Sequence, residues 1–163
     1  MILRRRSRPG RPTRPFTADG DQGAGLEHPR ATICHARSFC AANSGAAEDH
    51  LEETKGQIRK LEQVFKSIGK KASGEKCDAI EGLIKETDGL MEEASGTALD
   101  AGLLAACQAV EHYEISRYGS LREWAKDLGH DEAHKLLSEI LDQEKATNNK
   151  LTNLAVTAIN KTG

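Results

Sequence analysis

The chain has 163 residues, 37% of them hydrophobic and 29% charged, which suits one domain with a sizeable core. No apolar run reaches membrane-spanning length, and 4% aromatic content argues against a stacking platform for nucleic acid. The net charge of −2 conceals two unlike parts: residues 1–46 hold eight Arg, no Lys and three acids, or +5, and the remainder holds 15 basic and 22 acidic residues, or −7.

All four Pro lie before residue 30, within and after "MILRRRSRPGRPTRP", whereas Ala, Leu, Glu and Lys dominate later. An Arg- and Pro-rich stretch without apolar periodicity reads as a tail, so residues 1–46 are expected to be irregular or disordered. The stretch has no apolar segment of signal-peptide length, and Pro9, Pro12 and Pro15 spoil an amphipathic presequence helix. Phosphate binding through its arginines is the competing reading, which the acidic remainder of the chain opposes. Cys34, Cys40, Cys77 and Cys107 form neither a CxxC pair nor a zinc-ligand spacing, so a reducing, cytoplasmic setting is expected.

From Ala47 to Ile68 one face collects Leu51, Thr54, Ile58, Leu61, Phe65 and Ile68 at helical spacing, ended by Gly69. Asp78 with Glu81, and then Thr97 with Asp100, carry the pairing that opens a helix. They predict a short crossover helix up to Ser95–Gly96 and a long helix to about Leu128, with a possible bend at Gly119 and a stop at Gly129. A fourth helix is expected from Asp131 to about Asn160. The fold class is therefore all-α, an up-down bundle of long helices covering residues 47–163.

Within the third helix the apolar stripe runs through Leu104, Cys107, Ile115 and Tyr118, and Glu111 sits near its middle. Glu144 lies equally close to the centre of the stripe formed by Leu137, Ile140, Leu141, Leu151 and Ala155. Glu114 is one turn beyond Glu111, and it precedes Gly129 by about as many residues as Glu144 follows it. An antiparallel hairpin brings the three to one level. His50, Glu53 and Gln57 form a strip beside the first apolar face, where His50 and Glu53 can reach inward together. Buried carboxylates are costly without a cation, and oxygen-rich ligation with little imidazole favours iron or manganese over zinc. An edge carboxylate that reaches water is the plainer reading for Glu53 alone. His112 is expected to flank the site, His130 and His134 to lie in the turn and at the surface, and Trp124 to lie in the core or an interface. Tyr118 is expected to pack with its hydroxyl satisfied, or else to partner the site.

The segments "EDHLEETKGQIRKLEQVFKSIGKKASGEKCDAIEGLI", "AVEHYEISRYGSLREWAKDLG" and "LDQEKATNNKL" closely resemble the YciE/YciF family of ferritin-like stress proteins over about residues 47–163. The resemblance implies a ferritin-like bundle with a crossover helix, a homodimer, and a carboxylate-bridged centre of two iron ions that oxidises Fe(II) with oxygen or peroxide. By matching position it assigns His50 and Glu53 from H-L-E-E-T, Glu111 and Glu114 from V-E-H-Y-E, and Glu144 from E-K-A-T. Two departures stand out. Thr147 occupies the place of the His that usually follows the last Glu by three. Residues 1–46, including Glu27 and His28 beside Pro29, show no counterpart of the family's first helix, which suggests a replaced N-terminus, an opened site and impaired activity.

Overall fold

The computed structural model describes residues 37–74 and 77–161, with side chains from residue 50 onward. Helix α1 spans Arg37–Ser67, α2 Asp78–Glu93, α3 Gly96–Asp127 and α4 Asp131–Thr157, and a 3-10 turn follows at Ile159–Lys161. The described residues contain no strand, and the fold is a helical bundle.

The first helix begins at Arg37, ten residues before the predicted Ala47. Ala41, Ala42 and Ala46 are strong helix formers, and no Pro follows Pro29, so nothing stops the helix from growing back through Asn43–Gly45. The rest of the segment read as irregular, with Cys34, Glu27 and His28, lies outside the described residues. The helix starts also differ from expectation. Cys77 and Ser95 occupy the N-cap positions of α2 and α3, neither with a side-chain cap hydrogen bond. Asp78 and Glu81 lie inside the first turn of α2, where their charge complements the exposed N–H groups.

The helix ends follow the sequence closely. Gly69 and Gly129 take φ of 68° and 74°, a region in which a Cβ is strained. At each, the glycine N–H and the next N–H turn back onto the helix: Gly129 donates to the Lys126 carbonyl at 3.0 Å and His130 to that of Ala125 at 2.8 Å. Helix α3 passes through Gly119 without interruption.

Helices α3 and α4 form an antiparallel hairpin with the most extensive contact in the bundle. Helix α1 lies along α4 and touches α3 little, while α2 packs on α3. One apolar cluster, near the hairpin turn, joins Leu61, Val64 and Phe65 of α1 to Tyr118 and Leu121 of α3 and to Leu137 and Ile140 of α4. A second, toward the other end, joins Cys107, Val110 and Leu151 to Ile80, Leu83 and Ile84 of α2. Trp124 is not in the core: it is 56% exposed, beside Leu128 at 68%. Ala125, on the same last stretch of α3, is buried in the cluster that includes Leu61, Val64 and Phe65 of α1. No helix among the described residues is long and apolar enough to cross a membrane.

Candidate metal centre

Along α3 and α4 the apolar stripes are interrupted between the two clusters, and the interruptions are Glu111 and Glu144. Both are enclosed, at 1% and 0% exposure. Glu114, one turn beyond Glu111, is half-buried. One carboxylate oxygen from each of the three lies within 4.8 Å of the others. The hairpin sets this up: α3 offers Glu111 and Glu114 from neighbouring turns of one face, and the tight turn at Gly129 places Glu144 opposite them.

Helix α1 contributes His50, whose Nε2 stands 4.0 Å from a Glu111 oxygen. Both ring nitrogens are buried and neither has a hydrogen-bond partner. A buried imidazole without a partner is a costly arrangement that a bound cation would relieve. The Thr54 hydroxyl donates to the His50 carbonyl at 3.0 Å, one turn on, and Gln57 is 3% exposed, deeper than a strip beside the apolar face implies. Glu53 is placed differently. It lies at the rim, one carboxylate oxygen 3.8 Å from Lys150 Nζ, and outside the group of three.

The remaining candidates lie away from the three carboxylates. His112 is exposed and its Nδ1 bonds the Gln108 carbonyl at 2.8 Å. His130 is exposed, whereas His134 is half-buried and donates from Nδ1 to the Arg122 carbonyl at 3.1 Å across the hairpin turn. Tyr118 is buried in the cluster near the turn. Thr147 is half-buried one turn beyond Glu144.

Some contacts have no sequence signal, because they join residues far apart in the chain. Gln108 donates to Thr152 at 2.9 Å and to Asn148 at 3.4 Å, tying the upper ends of α3 and α4 together. The Cys77 thiol and the Tyr113 hydroxyl share a hydrogen bond of 3.1 Å. Arg117 Nε donates to the same hydroxyl at 2.9 Å, and its guanidinium lies 5.0 Å from the ring centroid. The Tyr113–Arg117 spacing of four was the readable part. Cys77 is half-buried and Cys107 is buried.

Three carboxylates held this close repel one another. At an effective dielectric of about 20, two unit charges about 4.8 Å apart cost about 3.5 kcal/mol. A cation among them reverses the sign of that energy. The three carboxylates could hold a metal ion, for which they offer oxygen donors.

The comparisons with known proteins agree with the motifs and the fold. Residues 44–162 match DUF892, a domain of unknown function. The chain belongs to this family. Protein YciF of Escherichia coli (strain K12) is 48% identical over 120 residues, 72% of this chain and 72% of that protein. The crystal structure of the E. coli stress protein YciF matches with a TM-score of 0.73 and 44% identity, covering 82% of this chain and 84% of that one. YcfI from Rhodopseudomonas palustris matches with a TM-score of 0.69 and 47% identity, covering 76% and 79%.

Proposed function

We propose that this chain is a cytoplasmic, ferritin-like stress protein in which Glu111, Glu114 and Glu144 hold two iron ions, or manganese in their place, and promote oxidation of Fe(II). The observation that carries this reading is the convergence of three carboxylates, two of them fully enclosed, between apolar layers. His50 adds an imidazole at the same level, and Glu53 assists from the rim.

Iron enters as substrate. Each Fe(II) that loses an electron gains one unit of positive charge, and anionic oxygens already in place favour the more highly charged product. With hydrogen peroxide as oxidant, two Fe(II) supply two electrons, solvent supplies two protons, and two waters leave. The chain's part is to collect the ions, hold them at one level and shield them with the apolar layers on either side.

The test is aerobic Fe(II) oxidation and iron stoichiometry for the full chain beside its Glu144→Ala variant. Iron near two equivalents and oxidation lost on substitution support the reading; no iron bound by either protein overturns it.

A second reading has its own observation. Trp124, in the last turn of α3, and Leu128, its C-cap, are 56% and 68% exposed, which favours association, as a homodimer, for a protein that acts by contact without catalysis. Iron-free activity in a stress assay would separate the two.

A further inference from the structure

Helix α1 is joined to α4 by ion pairs on either side of Glu144. Lys60 Nζ stands 3.1 Å from a Glu139 oxygen, and Lys150 Nζ stands 3.8 Å from a Glu53 oxygen. Along α4, Glu139 precedes Glu144 by about 7.5 Å and Lys150 follows it by about 9 Å. The two pairs are unequal. The first is at hydrogen-bond distance and its lysine side chain is 26% exposed, whereas the second is longer than a hydrogen bond and its lysine is 69% exposed. At 3.8 Å the ammonium acts on Glu53 through charge and does not fix the direction of the carboxylate.

The looser pair is the one beside the candidate metal centre. Glu53 follows His50 by three residues, so the two lie about 60° apart on one side of α1. His50 Nε2 is 4.0 Å from Glu111, and both of its ring nitrogens are buried without a hydrogen-bond partner. Glu53 is half-buried and stands at the rim, outside the group formed by Glu111, Glu114 and Glu144. A hard divalent cation brings two charges where an ammonium brings one, and it approaches a carboxylate oxygen to about 2.0–2.6 Å. Charge and distance both favour the cation over a loosely held lysine in a contest for Glu53. Exposed ion pairs are weak, so breaking this one lowers the cation's affinity by only about threefold.

We propose that Lys150 is a displaceable counter-ion of the centre: its ammonium holds Glu53 at the rim, and an arriving divalent cation takes Glu53 from it. Lys150 is thus a positioning residue, which sets the metal affinity through Glu53 and does not itself ligate the ion. The inference rests on the metal-centre reading given above. It has a consequence for the bundle. Metal uptake removes an ion pair between α1 and α4 and gathers His50 and Glu53 of α1 toward the carboxylates of α3, the helix that α1 otherwise touches little.

The experiment titrates Mn(II) into the full chain and its variants, with the free ion followed by its electron paramagnetic resonance signal. Lys150→Gln should bind Mn(II) about threefold more tightly than the wild type at low salt. Lys150→Arg keeps the charge and should bind as the wild type does. In the Glu53→Gln background the gain from Lys150→Gln should vanish, because no carboxylate is left to compete for. It should also shrink in about 1 M NaCl, where the Debye length is about 3 Å. Lys145→Gln removes the same charge from an exposed position next to Glu144 and should change the affinity far less. If the wild type binds Mn(II) and Lys150→Gln leaves the affinity unchanged, the proposal is overturned and the centre stands. A gain that persists without Glu53, or that Lys145→Gln matches, overturns it in the same way. If the wild type binds no Mn(II), the metal-centre reading falls and this inference falls with it.

Discussion

Replacing Glu144 by Gln separates a metal centre from a structural polar cluster, because the two make opposite demands on the same side chain. The substitution keeps shape and hydrogen-bonding capacity but deletes one of three charges whose oxygens lie within 4.8 Å of each other. Up to two repulsive pairs disappear, each about 3.5 kcal/mol at an effective dielectric of about 20 where both members are ionised. Loss of the carboxylate's own polar contact offsets about 1–3 kcal/mol of that gain. The metal-free variant should therefore be more stable than the wild type by a few kcal/mol in chelator-containing buffer, read from urea unfolding at constant slope. With Mn(II) the order should invert. A ligand at a hundredfold excess over its dissociation constant stabilises by about 2.7 kcal/mol, and the variant, with one anionic donor gone, should lose most of that increment. If Glu144→Gln destabilises the metal-free protein and leaves its response to Mn(II) unchanged, the three glutamates are a structural network and the reasoning fails.

Glu111→Ala should lower Mn(II) or Fe(II) affinity strongly, whereas His134→Ala, a change at the hairpin turn, should leave it nearly unchanged; isothermal titration distinguishes them. Gly129→Ala should cost about 1 kcal/mol because φ is 74° there, while Gly119→Ala, inside α3 with nothing within 4 Å of an added Cβ, should gain about 0.5–1 kcal/mol in thermal or urea unfolding. Leu137→Ala, at a position with 0% exposure, should destabilise by about 2–5 kcal/mol in the same assay. The Glu52 and Glu123 carboxyls are held below their usual range by hydrogen bonds from Lys55 and Arg122 and by the charges of those partners. Their small contributions are present above the ordinary carboxylate range and are lost as pH falls through the lowered folded values; NMR titration at two salt concentrations should show both shifts shrinking with salt.

The sequence made the hairpin legible for a physical reason. Helical periodicity reports which side of a helix is buried, and a glycine with positive φ reports where the chain reverses. Together they fix the level at which Glu111, Glu114 and Glu144 meet. Helix starts were less legible. Asp78 and Thr97 carry capping chemistry, yet the caps fall at Cys77 and Ser95, since backbone geometry and tertiary packing choose among adjacent polar residues. The start of α1 was hidden by Asn43–Gly45, which weigh against helix by propensity but are tolerated within a long alanine-containing run. Trp124 is outside the core, one of the two places expected for it, because an aromatic residue at a helix end is buried within the chain only if another element reaches it. Cys77 and Tyr113 lie 36 residues apart, and no local pattern encodes their contact.

The position of the glutamates also explains why a glycine far from them matters. Glu114 lies about 22 Å along the helix from Gly129, yet the turn there fixes the register of α3 against α4. A slip of one residue rotates a side chain by about 100°, enough to carry Glu144 off the shared level and out of the interior. The apolar clusters on both sides hold the same register: Leu141 and Leu151 flank Glu144 along α4, and Cys107 and Tyr118 flank Glu111 along α3. A slip that removed the carboxylates from the interior would expose these neighbours as well. The polar layer is thus kept in place by the apolar layers around it, and the charge repulsion it introduces is opposed by burial that no single helix supplies.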